Sequence, residues 1–219
     1  MTNFNIKIVS DTVCPWCYVG KRRLDRAIEL YRKTYPAGRD DTFTVTWAPF
    51  YLDPTSPAVG VPVNERMAQK FGPDRLEMVH QRLTTVGREE GIKFAFAGRI
   101  GNTRDSHRLI QLGKTKGNDV ENRVVTELFK SFFEGDGDIT SHATLIAAGE
   151  KAGLAASEVK EWLETGKGGA EVDKEVQEAY ARGISGVPNI TIQGTHDIGG
   201  AQDAEVFLAT FAKIKEAGK

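Results

Sequence analysis

Strand-type patterning occupies the two ends of this chain and is missing from its middle. That division restricts the fold more than any other feature of the sequence. Phe4-Asn5-Ile6-Lys7-Ile8-Val9 has the apolar, β-branched character of a buried strand, and Thr42–Trp47 has it again. Between them Leu24, Ala27, Ile28 and Tyr31 recur at helical spacing, and Pro36-Ala37-Gly38 ends that helix. The next such segment is Val187–Ile192, followed by a turn at Gly194-Thr195-His196 and a short edge strand at Asp197-Ile198-Gly199. Any sheet must therefore be built from both ends of the chain, with everything between inserted into it.

The insert reads as helices. A proline-studded loop from Pro49 to Pro62 leads into it. Leu76, Val79, Leu83 and Val86 form one amphipathic face. Val124, Val125, Leu128, Phe129, Phe132 and Phe133 form a wider apolar face suited to a central core helix. Thr140 or Ser141 precedes a helix carrying Leu145, Ile146 and Ala148. Ser157, Val159, Trp162 and Leu163 mark a short one before the glycine-rich break at 166–169. Val172, Val176, Ala179 and Tyr180 mark another, stopped by Gly183, and Val206, Phe207, Phe211 and Ile214 the last. The order is β-α-β, helical insert, α-β-β-α. The expected fold is α/β, with a discontinuous domain of residues 1–60 and 167–219 interrupted by an all-helical domain of residues 61–166.

At 219 residues, with 40% hydrophobic side chains, such a chain buries a core without covalent staples. A net charge of −1, with both signs interspersed, offers no electrostatic footprint for nucleic acid or an anionic membrane. No apolar run reaches membrane-spanning length, and no basic-then-apolar leader opens the sequence. The only two cysteines belong to one motif, so no disulfide framework is available, and the expected location is cytoplasmic.

That motif, Cys14-Pro15-Trp16-Cys17, falls between the first strand and the first helix. Pro15 suits the first helical position, where its missing N–H costs nothing. Two thiols at i and i+3 on a first helical turn lie within disulfide reach. The helix N-terminus favours a thiolate there by up to about 2 kcal/mol. Cys14, ahead of the helix, is expected to hold its sulfur in solvent and act as nucleophile. Cys17, one turn inside, is the more buried, resolving thiol. Trp16 carries no positive charge, so an intermediate thiolate is expected, and its ring reads as an apolar contact for substrate. A structural zinc would need two further ligands, and His80, His107, His142 and His196 lack ligand spacing, so no metal is expected.

The ordered set of Cys14-Pro15-Trp16-Cys17-Tyr18-Val19-Gly20, Asn102-Thr103-Arg104-Asp105-Ser106-His107-Arg108-Leu109, Leu128-Phe129-Lys130, Gly186-Val187-Pro188 and Gly199-Gly200-Ala201-Gln202 resembles the DsbA family of thiol–disulfide oxidoreductases, most closely its FrnE-like branch. The resemblance implies a thioredoxin-like fold with a helical insertion. It also implies a cis bond before Pro188, which faces the cysteines, and substrate positioning by Pro15, Trp16, Val187 and Pro188, with the Val187 backbone pairing to an extended substrate. Some FrnE-like proteins carry a further cysteine pair, which is missing here. His107 is either a satisfied histidine of the insert or a cleft residue. Ala201 and Gln202 either offer N–H groups to a carboxylate or simply start a helix. Asp11 either tunes Cys17 or caps the turn.

The expected activity is dithiol–disulfide exchange with protein or small-molecule thiols. No cofactor is required, and glutathione is an allowed co-substrate. The rival is a glutathione-dependent transferase or isomerase of the kappa type, in which a hydroxyl residue commonly replaces the first cysteine. The retained Cys17 argues against it, since a transferase needs no resolving thiol. A redox-silent binding module is disfavoured by the intact pair.

Overall fold

In the computed structural model, which describes residues 1–218, the sheet is assembled from both ends of the chain. Strand β1 (Asn3–Ser10) lies inside a four-stranded sheet of order β2-β1-β5-β6. It runs parallel to β2 (Thr42–Pro49), Phe4 opposite Phe43 and Ile8 opposite Trp47. It runs antiparallel to β5 (Asn189–Ile192), which hydrogen-bonds to β6 (His196–Gly199). A parallel pair needs a crossover, and α1 (Pro15–Thr34) supplies it. Phe4, Ile6 and Ile8 are buried while Asn3, Asn5 and Lys7 face outward, the alternation that period-two patterning demands. Phe4 contacts Phe43, Tyr31 and Phe211, the last on the closing helix α9 (Ala204–Ala217), which packs along α1.

The middle of the chain contributes α2 (Val63–Phe71), α3 (Pro73–Glu90), α4 (Arg104–Thr115), α5 (Asn118–Phe129), α6 (His142–Lys151) and α7 (Ala156–Glu164). A π-helical turn, Lys130–Glu134, extends α5 and keeps Phe132 and Phe133 in the core. This stretch also contains one minimal ladder, β3 (Val61–Pro62) with β4 (Arg99–Ile100), too short to leave a periodic signal. Ser141 is the N-cap of α6, although its side chain makes no capping bond. Helix α8 (Gly169–Ala181) packs on β2 and α4 and returns the chain to β5.

Helix α5 packs on β2. Trp47 fixes the contact, its backbone N–H donating to Glu121 Oε1 at 2.8 Å and its indole N–H to Asn122 Oδ1 at 2.9 Å. Burial pushes the Glu121 carboxyl above its usual range. One buried cluster runs from Phe4, Phe207 and Phe211 through Cys14, Cys17 and Tyr18 to Leu109, Phe129 and Val159. Tyr18 of α1 stacks on Phe129 of α5 with ring centroids 5.1 Å apart. The cysteine motif therefore stands where the sheet layer meets the inserted helices. Among the described residues no helix is long and apolar enough to cross a membrane.

Candidate active site

Cys14 is the N-cap of α1, in extended conformation, with Pro15 at the first helical position. Its N–H donates to Asp11 O at 3.0 Å, which closes the turn leaving β1, and its carbonyl accepts the N–H of Cys17 at 3.0 Å. Both thiols are free. The Cys14 Sγ lies 3.6 Å from the carbonyl oxygen of Val187, and the Val187–Pro188 peptide bond is cis. Helix α1 approaches this loop closely at Gly20, where an added Cβ would stand 3.2 Å from Pro188 Cγ and 3.6 Å from Ala201.

The expectation of a solvent-exposed Cys14 sulfur is corrected. Cys14 is 3% exposed and Cys17 1%. The inserted helices cover the motif, and Cys14 reaches the outside through a cavity of about 380 Å³. One side of that cavity is Val13, Cys14, Pro15, Trp16 and Val187; the opposite wall is the α2–α3 hairpin. Cys17 lies behind Cys14 and does not line it. Burial, followed by the hydrogen bond to Cys14, pushes the Cys17 thiol well above the ordinary cysteine range, while Ser10 and the Asp11 backbone pull weakly the other way. One thiol thus meets the cavity and the other is held protonated beneath it. Trp16 itself is uncharged, but Arg82 of α3 places its guanidinium carbon 4.9 Å from the ring centroid, so a cation does stand beside the motif.

The structure brings Cys14, Pro15, Trp16 and Val187 together on one cavity. Pro188 is buried directly behind Val187, on a separate open depression bounded by residues 182–189 and the end of β6. His107 does not line the cleft. It is 3% exposed, with Nε2 3.2 Å from Phe50 O and 3.5 Å from Asp11 Oδ1. Its helix α4 packs it beneath the β2–α2 connection, so Asp11 stands between it and the cavity. Ala201 and Gln202 are likewise outside the cavity. The Gln202 N–H donates to Gly200 O at 3.0 Å and its side-chain amide to Gly199 O at 2.9 Å, within the turn before α9, while the Ala201 carbonyl accepts from Arg23 of α1 at 2.7 Å.

Asp11 was readable in the sequence as either a Cys17 neighbour or a turn cap. Its backbone does both, and its side chain also braces the loop beyond β2, Oδ2 accepting the Leu52 N–H at 2.9 Å. Its Oδ1 is buried without a hydrogen bond. The residues that sequence reasoning missed are those of the far wall, chiefly Arg66, Met67, Lys70 and Phe71 of α2. The available signal was an amphipathic nine-residue helix with no fully buried side chain, a surface whose apolar stripe must face something other than the core.

The geometry has relatives. Residues 5–212 match the family model described as a DSBA-like thioredoxin domain. The chain belongs to that family. It is 29% identical over 206 residues to the uncharacterized protein YwbO of Bacillus subtilis (strain 168), covering 93% of each chain. It superposes on a probable DsbA oxidoreductase, SCO1869 from Streptomyces coelicolor, with a TM-score of 0.83 and 28% identity over 96% of this chain and 89% of that one. A 2-hydroxychromene-2-carboxylate isomerase shares the fold at a TM-score of 0.70 and 15% identity, over 98% of this chain and 97% of that one. The dithiol of this DsbA-like chain stands where the sheet layer meets α1, covered by the inserted helices.

Proposed function

We propose that this protein is a thiol–disulfide oxidoreductase of the FrnE-like branch, with Cys14 as nucleophile and Cys17 as resolving thiol. The observation that carries the reading is the asymmetry of the pair: Cys14 lines the cavity at a helix N-terminus, and Cys17 is buried one turn deeper with its proton held on. In the reducing direction the Cys14 thiolate attacks a substrate disulfide. Cys17 then attacks Cys14 and releases the second thiol. In the oxidising direction a substrate thiolate attacks Cys14 of the protein disulfide, and a second substrate thiol resolves the adduct. Trp16 and Pro15 form the apolar floor against which the substrate lies, and the Val187 carbonyl, 3.6 Å from Sγ, sits beside the reacting atom. The reaction draws on no cofactor, with protein or small-molecule thiols as partners and glutathione admitted as co-substrate. The cytoplasmic location belongs to the same reading, resting on both cysteines being spent on one motif.

Insulin reduction by dithiothreitol, run beside a glutathione-conjugation assay, tests it. Cys14→Ser is expected to abolish disulfide exchange, and Cys17→Ser to stall it as a trapped mixed disulfide on Cys14. Exchange that survives Cys14→Ser unchanged would sink the mechanism. Strong conjugation that survives Cys17→Ser would instead favour the kappa-type transferase or isomerase.

A further inference from the structure

The cavity in front of Cys14 is mostly apolar, formed by Val13, Trp16, Met67, Val79 and Leu83, with Leu52 and Phe71 exposed at its margin at 42% each. Its charged groups are unevenly matched. Arg66 is spent on Asp53, at 2.8 Å. Asp11, on the Cys14 side, already accepts the Leu52 amide. Lys70 and Arg82 remain, and neither makes an ion pair among the described residues. Lys70 Nζ lies 5.9 Å from the Phe71 ring centroid on the hairpin, and the Arg82 guanidinium reaches from the hairpin across to the Trp16 ring, so both heads are held at aromatic faces of the cavity. The field of Lys70 adds to the contacts that hold the Asp53 carboxyl below its usual range.

We infer that the cavity is a subsite for a small apolar disulfide bearing a carboxylate, with the apolar body on Trp16 and the carboxylate on Arg82 and Lys70. This rests on the oxidoreductase reading and specifies its substrate. Three observations select that occupant. The volume, about 380 Å³, belongs to small-molecule pockets rather than to a groove for a folded partner. The apolar lining favours a hydrocarbon or aromatic body over a strongly hydrated one. The two cations that make no ion pair call for an anion, and Asp11 beside Cys14 disfavours that anion next to the reacting sulfur.

The step balances without a further reductant. The Cys14 thiolate attacks one sulfur of the bound disulfide. The S–S bond breaks, one half leaves as a thiolate, and the other stays joined to Cys14. Cys17 gives its proton to water and attacks Cys14 Sγ, and the second half leaves as a thiolate. The protein dithiol is oxidised by two electrons and the substrate disulfide reduced by the same two.

The test is single-turnover oxidation of the pre-reduced full-length protein by three disulfides: dithiobis-nitrobenzoate, which is aromatic and carries carboxylates; dithiodipyridine, which is aromatic and neutral; and cystamine, which is cationic. Insulin is included as a polypeptide disulfide. The readout is the ratio of the nitrobenzoate rate to the dithiodipyridine rate, which cancels changes in the sulfur itself. In the double variant Arg82→Gln, Lys70→Gln this ratio is expected to fall by about fivefold, as for loss of two partly exposed charge contacts. It is also expected to fall with added salt. Both side chains are exposed, and Arg82→Lys, which keeps the charge, is expected to restore most of the ratio. A ratio unchanged by the double variant overturns the subsite and leaves the redox reading standing. Equal loss on every probe, insulin included, also overturns it and makes the hairpin a general docking wall. A wild-type protein that reacts with no probe, dithiodipyridine included, overturns the redox reading and the subsite together.

Discussion

At the scale of single residues, the division of labour between the two thiols comes from depth. Both belong to the same helical turn, yet only Cys14 meets the cavity. Cys17 is enclosed by core side chains, and desolvation disfavours its charged form more than the neighbouring Ser10 hydroxyl and Asp11 backbone can offset. A raised thiol pKa means that free Cys17 stays protonated, and so slow toward external reagents, through the pH range in which a free cysteine ionises. Iodoacetamide at neutral pH is expected to label Cys14 first and to leave Cys17 untouched. In Cys14→Ser, labelling of Cys17 should remain slow until the pH passes well above the ordinary cysteine value. Peptide mass mapping across a pH series measures this, and equal labelling of both cysteines at neutral pH would contradict it. Asp11 shows how one residue serves several contacts, with its backbone turning the chain into Cys14 and its carboxyl holding the Leu52 amide and lying 3.5 Å from His107.

At the scale of elements, the site depends on α1 lying close to the Val187–Pro188 loop. Gly20 permits that approach, since an added Cβ already meets Pro188 Cγ at 3.2 Å and Ala201 at 3.6 Å. The same contact is held three residues on by Arg23, which bonds Glu90 at the end of α3 at 2.8 Å and Ala201 and Asp203 ahead of α9. Gly20→Val inserts branched methyls into this contact. It is expected to cost about 1–3 kcal/mol, as overpacking usually does, and to slow exchange because Val187 is displaced from Cys14. Urea denaturation and insulin turnover measured together check both halves. A variant of wild-type stability and rate would show that the contact is loose.

At the scale of the whole molecule, the inserted helices and the sheet share one buried cluster, joined through Tyr18, Phe129 and Phe133. Tyr18 also donates to Glu134, and burial with that carboxylate nearby pushes its hydroxyl pKa upward. A single continuous core melts as one unit. Denaturant transitions followed by far-UV circular dichroism and by tryptophan fluorescence are expected to coincide, with Trp47 reporting on β2 and Trp162 on α7. Two separated transitions would mark the helical segment as an independent folding unit.

What the sequence determined by itself was everything governed by local periodicity and turn chemistry. The strands at Phe4–Val9 and Thr42–Trp47, the α1 pattern ending near Tyr35, and a dithiol placed at a strand-to-helix junction all follow from side chains a few residues apart, because strand and helix periods are set within a few residues. The two-residue β3–β4 ladder was illegible because it is too short to carry a period, and the amphipathic pattern of α2 does not say which segment its apolar stripe faces. The tertiary structure alone decided that Cys14 opens into a cavity rather than into solvent, that His107 is buried behind Asp11, and that Arg82 crosses over Trp16. Each of these depends on where segments far apart in the chain come to rest against one another. That is set by the packing of the common core and leaves no mark on any short stretch of sequence.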